Sequence, residues 1–144
     1  MRLSFDIRRT DLNKFAANCE AMINRVGNGS RKALVEACNI ISENSLNQVP
    51  RETETLAHSQ FWEVTGSYKI GWEAVIGYGG NGDPINPKTG KAASSYMLKV
   101  HEDLSTYHFI GKAKFLEDPV REYTLERHPR TVIKYISEAI EGKG

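Results

Sequence analysis

Apolar positions recur along this chain with two different periods. From residue 11 onward Leu12, Phe15, Ala16, Cys19, Met22, Ile23 and Val26 follow i, i+3, i+4, i+7 spacing, which places them on one face of an amphipathic α-helix. Gly27-Asn28-Gly29-Ser30 weakens that pattern, with Ser30 suited to cap a second helix whose buried stripe is Leu34, Ala37, Cys38, Ile41 and Ser45. Pro50 closes it. The spacing predicts a helix pair, or one long helix with a weak middle. Ahead of it, residues 2–7 alternate Leu3, Phe5 and Ile7 with polar neighbours and read as a short half-buried strand.

After a polar link at residues 51–54 the period changes. Residues 61–64 and 72–78 are aromatic and β-branched, with Thr65-Gly66-Ser67 between them, and predict an antiparallel pair. Residues 79–95 (GGNGDPINPKTGKAASS) offer almost nothing to bury and predict a long, exposed, mobile loop. Residues 96–100 form a short apolar segment, strand or helical turn. The C-terminal region, residues 115–142, is helical in pattern, and Asp118-Pro119 and His128-Pro129 mark helix starts with proline in the first turn. The second of these helices is expected to bury Val132, Ile133, Ile136 and Ile140. Residues 1–144 thus predict a single α+β domain: an N-terminal amphipathic helix or helix pair and C-terminal helices packed on a small, mainly antiparallel sheet.

Composition narrows the function classes. A chain of 144 residues, 40% apolar and 26% charged, is large enough for one core without staples. The net charge of +1 is spread without a basic block, which argues against a nucleic-acid partner; the aromatic residues of the central region are expected to be core. No apolar run reaches the ~20 residues a bilayer span needs, and MRLSFDIRRTDL is too charged for a secretory signal, so a cytosolic protein without membrane contact is expected. Cys19 and Cys38 then remain thiols on apolar helix faces, and the sequon Asn28-Gly29-Ser30 stays unmodified.

Two stretches invite a chemical reading. VIGYGGNGDP contains a literal G-x-G-x-x-G after a strand, but Pro84 and Pro87 prevent the helix whose N-terminal amides would meet a pyrophosphate. A phosphate-binding loop at Gly90-Lys91 fails too, because Ile85 and Ala92 stand where glycine and Ser/Thr are required. In HEDLSTYH, His101 and His108 are seven residues apart without a second ligand cluster, so no metal site, and with it no cofactor, is expected. Neither cysteine lies in an activating motif and no serine in a nucleophile elbow. Nothing demands an enzyme.

Four fragments in a fixed order resemble the tail-component family of long-tailed bacteriophages, described as tail-completion, head-tail joining or minor capsid proteins. Gln48-Val49-Pro50 followed by Thr53, Leu56 and Ser59 is similar to the family's V-P-x-x-T-x-x-L-x-x-S passage. A strand ending in Tyr78-Gly79-Gly80 resembles its Tyr-Gly-Gly; Tyr96 to Leu104, with Val100-His101-Glu102, resembles its Tyr-x-x-x-Val-His-Glu; and Lys114-Phe115-Leu116 its Lys-Phe-Leu. The chain departs from the family at Glu52-Thr53-Glu54, where Asp-Thr-Gly is frequent, and at Pro129.

The resemblance implies a virion protein of the neck or tail, present in the host cytoplasm during assembly. Its partners would be copies of itself in a ring, hexameric by the same resemblance, together with the head connector and the tail terminator or tube. Pro50, Thr53, Leu56, Ser59, Gly79, Gly80, Tyr96, His101, Glu102, Lys114, Phe115 and Leu116 are the implied structural or interface positions. The alternative is a small cytosolic binding module or toxin-like enzyme with a pocket around His101, Glu102 and His108.

Overall fold

The computed structural model describes residues 8–143. It is α+β, in the order α1 (Arg9–Leu46), α2 (Thr55–His58), β1 (Phe61–Ser67), β2 (Gly71–Gly77), α3 (Ala93–Glu102), α4 (Glu117–Glu126) and α5 (His128–Ile140). The strand expected at residues 2–7 lies outside the described residues.

The amphipathic repeat before Gly27 and the one after Ser30 belong to one uninterrupted helix, α1. Its mid-helix glycines serve close approach instead of a break. A Cβ on Gly27 would lie 2.4 Å from the Tyr68 Cβ, and one on Gly29 would lie 2.8 Å from the Tyr135 carbonyl oxygen. Removing the side chains there lets the hairpin turn and α5 reach the α1 backbone, at a helix-propensity cost of about 1 kcal/mol per glycine relative to alanine. Ser30 does not cap; its hydroxyl donates to the Val26 carbonyl at 3.1 Å.

α1 is the spine against which the β-hairpin, α4 and α5 all pack. β1 and β2 pair antiparallel from Phe61↔Gly77 to Ser67↔Gly71. Thr65-Gly66-Ser67, expected to separate the strands, lies inside β1, and Tyr68-Lys69-Ile70 makes the turn. The loop expected over residues 79–95 ends earlier, because α3 begins at Ala93. It is internally bonded: the Asp83 carboxylate accepts the Ser94 amide at 2.8 Å, Asn86 Oδ1 accepts the Lys88 amide at 2.9 Å, and Ile85 bridges Ala92. The segment from Tyr96 resolves as helix.

The C-terminal region forms two helices, with Pro119 and Pro129 in their first turns, where a missing N–H interrupts no intrahelical bond. The buried side of α5 differs from the expectation. Thr131 and Ala139 are buried, whereas Ile133 and Ile140 are exposed, because α5 presents the small Ala139 to Gly29 at the closest approach. The core has two adjoining parts: Val49, Leu56, Ala57, Tyr78, Ala93 and Phe115 in one, Ala37, Ile41 and Tyr123 in the other, with Leu116 packed against both.

Candidate interaction surfaces

The motif residues lie close together in space, and four of them, Pro50, Leu56, Ser59 and Phe115, are core. Pro50 and Leu56 are buried, and the Phe115 ring meets that of Tyr78 edge-on at 5.0 Å. Ser59 is fully buried; its hydroxyl donates to the Leu56 carbonyl at 2.7 Å and accepts the Gly79 amide at 3.0 Å, while its carbonyl accepts the Gly80 amide at 2.9 Å. Gly79 holds φ 88 with the Ser94 Cα 3.0 Å from where a Cβ would be, so glycine is needed there on both counts. Thr53 Oγ1 meets Thr55 Oγ1 at 2.9 Å. Where the family pattern often has glycine, Glu54 itself adopts the left-handed backbone, φ 58. Tyr96 is half-buried on α3.

Tyr78 and Gln60 tie this hub to Ser42 and Ser45 of α1. The Tyr78 hydroxyl lies 2.7 Å from Ser45 Oγ and accepts Gln60 Nε2 at 3.0 Å; Gln60 Nε2 also donates to the Ser42 carbonyl at 3.1 Å, and Ser42 Oγ bonds Gln60 Oε1. Burial pushes the Tyr78 phenol up, against the lowering pull of its bonds to Ser45 and Gln60.

His101 is part of this scaffold. Its ring sits edge-on against Phe115 at 4.9 Å, Nε2 accepts the Glu117 amide at 3.3 Å, and Nδ1 is left to donate to Glu102 Oε1 at 2.8 Å. Lys114 bridges Glu102 and Glu117 at 2.5 and 2.8 Å, which holds the Glu102 carboxyl below its usual range and raises the Lys114 amine. His108 lines one hollow with Pro50, Arg51, Glu52 and Tyr107 and another with Asp103, Lys112 and Lys114; neither is lined by His101 or Glu102. Among the described residues no group of three or more His, Cys, Asp or Glu side chains is placed to hold a metal, and no helix is long and apolar enough to cross a membrane.

What the fold leaves open is apolar surface. The stripe of Leu12, Phe15, Met22 and Ile23 on the amphipathic face of α1 stands in solvent: Phe15 is 69% and Ile23 57% exposed. Cys19 is exposed with it, whereas Cys38 is buried and its thiol pKa raised by that burial; both are free. The stripe runs into a groove of about 630 Å³ lined by Met22, Val26, Ser30, Tyr68, Trp72 and Val132, where hairpin and α5 meet α1. A second apolar display follows α3, with Leu104 exposed, Tyr107 86% and Phe109 90% exposed. Its base is braced by Asp103, whose carboxylate accepts the amides of Ser105 and Thr106 at 2.9 and 3.2 Å and both hydroxyls at 2.6 Å. Those bonds, led by the Ser105 hydroxyl, hold its carboxyl far below the usual range. Tyr107, Phe109 and Trp62 are thus corrections to the expectation of an aromatic core.

None of the family models, curated proteins or solved structures compared with this chain matches it.

These surfaces escaped the sequence reading because an apolar stripe looks the same whether or not something covers it. Element length held the available signal. At 1.5 Å per residue the 38 residues of α1 span roughly 57 Å, and the 13 residues of α5 only roughly 20 Å.

Proposed function

We propose that the chain is a structural component of a tailed-phage particle, acting at the neck or tail in tail completion and head–tail joining. It acts through protein–protein contacts and has no catalytic step. The order of the four motif fragments supports this reading. The single observation that carries it is the uncovered apolar face of α1, since soluble monomers rarely leave a contiguous apolar stripe of this kind without a partner to bury it. Copies of the chain would form a ring through heterologous contacts that close by rotation, with the head connector on one side and the tail terminator or tube on the other. The braced display from Leu104 to Ile110 is a second contact surface available for such neighbours.

The motif residues have a defined part in this reading. Ser59, Gly79, His101, Lys114 and Phe115 build the rigid hub from which α1 projects, so their substitution should act through stability. The alternative, a pocket around His101, Glu102 and His108, has less support because the two hollows lined by His108 include neither His101 nor Glu102.

Deleting the gene from its phage or prophage and imaging induced lysates by negative-stain electron microscopy tests the proposal. Full heads beside separate tails, or heads without tails, are the expected outcome. Intact infectious particles in normal number would overturn it.

A further inference from the structure

We infer that the free chain pairs with a second copy of itself through the N-terminal half of α1, as a two-fold antiparallel helix pair. The exposed positions Leu12, Phe15, Cys19 and Met22 and the half-buried Val26 are spaced 3, 4, 3 and 4 residues apart, the alternation of a coiled-coil seam, and Ile23 widens one side of it. The hairpin and α5 reach this side of α1 only as far as the groove that Met22, Ile23 and Val26 line with Tyr68, Trp72 and Val132. From Met22 back to Leu12 the seam continues for about 15 Å with nothing over it among the described residues.

The charges flanking the seam identify the occupant and its direction. Asp11 and Arg25 occupy the same flanking position two heptads apart, with Asn18 midway between them. In an antiparallel pair equivalent flanking positions face each other, so Asp11 lies opposite the partner's Arg25, Arg25 opposite the partner's Asp11, and the two Asn18 amides meet at the two-fold axis. In that register Leu12 packs against the partner's Met22, and Phe15 against the partner's Cys19. A parallel pair would instead set Asp11 against Ala16 and Asn18 against Ile23, leaving both polar groups without a partner, and would place both bodies at the same end. The antiparallel arrangement keeps the bodies at opposite ends. Among the described residues Asp11 makes an exposed contact with Arg8 at 3.4 Å, of the kind that contributes little and redirects easily.

Two heptads bury less than the ~800 Å² per partner of a standard stable interface, so the pair should form with a Kd on the order of 10 µM and exchange readily. That suits a form of the chain that must later give up the same face to other neighbours. The inference does not depend on the particle reading, and its failure would leave that reading standing.

Sedimentation equilibrium of the full chain over a concentration series, up to roughly 0.5 mM, tests it. The wild-type chain should show a monomer–dimer equilibrium. Phe15→Glu should weaken it by about a hundredfold or more while the thermal melt of the dilute monomer is unchanged, because Phe15 supports no core. Ile70→Glu, a substitution at the exposed hairpin turn, should leave it alone. Asp11→Arg or Arg25→Asp should each weaken pairing several-fold, and the double exchange D11R/R25D should restore it, which helix residues 14 apart cannot do within one chain. A chain that stays monomeric throughout overturns the inference, as does a dimer indifferent to Phe15→Glu. A dimer lost with Phe15→Glu but not restored by the charge exchange overturns the antiparallel arrangement and with it the proposal.

Discussion

The two halves of α1 carry the same kind of apolar repeat and meet opposite surroundings. In the C-terminal half Ala33, Ala37, Cys38, Ile41 and Ser45 are buried against the hub, α4 and α5; in the N-terminal half Leu12, Phe15, Met22 and Ile23 stand in solvent. The C-terminal half draws stability from side chains that lose water on folding, whereas the N-terminal half is held by its own backbone ladder and by continuity with the buried part. Isolated helices of that length are marginal in water, so the free half depends on the anchored half for its conformation. A repeat therefore reports which residues share a face, and the neighbours decide what that face contributes.

The widest gap between the halves should appear on truncating equivalent residues. Ile41→Ala, in the buried half, is expected to cost about 3 kcal/mol, while Ile23→Ala should change monomer stability by no more than about 0.5 kcal/mol, with improved helix propensity offsetting the little contact it loses. Urea unfolding of both variants at micromolar concentration measures the contrast. Equal losses would show that the N-terminal half is covered within the monomer.

Next comes the boundary between the halves. In an exposed helix Gly→Ala stabilises by about 1 kcal/mol, but Gly29→Ala sets a methyl 2.8 Å from the Tyr135 carbonyl and should instead destabilise by about 1–3 kcal/mol. A raised melting temperature in this variant would break the argument that glycine here allows α5 to approach. Tyr78→Phe sharpens the anchoring of the buried half. It removes the hydroxyl that joins Ser45 and Gln60, and a loss of about 1–2 kcal/mol with an unchanged denaturant slope is expected.

The smallest effect is electrostatic and belongs to the body alone. Asp83, Glu102, Asp103 and Asp118 have depressed carboxyl pKa values, caused first by Ser94, Lys114, Ser105 and Lys112 respectively. A depressed folded pKa contributes stability that is present above the unfolded value and lost as pH falls through the folded one. The urea midpoint should therefore hold steady down to about pH 5 and fall below the unfolded values of 4.5 and 3.8. Asp103→Asn should flatten that fall. A midpoint that rises on acidification would contradict these pairings.

Much of the fold was legible in the residues. The α1 stripe, the paired strands and the two proline-started helices each follow from local rules, and the structure departs from them in boundaries, with Thr65-Gly66-Ser67 inside β1 and α3 starting at Ala93, and in the side of α5 that is buried. Gly27 and Gly29 were ambiguous because a glycine in a helical repeat fits a break or a close approach equally well, and only the positions of Tyr68 and Tyr135 separate the two. The fold brings the motif positions close to one another, with Ser59 and Phe115 in the interior, a burial that their spacing in the chain does not reveal. Gln60 and Ser42 went unnoticed, since polar residues 18 apart give no local sign of bonding each other.

By itself the sequence determined the elements and their faces, because helical and strand periodicity are properties of neighbouring residues and of where Cβ atoms point. It also set which side chains can take strained backbone and where prolines start helices. Only the tertiary structure decided coverage. Whether Phe15 or Ile41 is buried depends on the lengths and paths of α4, α5 and the hairpin, and those shorter elements cover one half of α1 and leave the other bare.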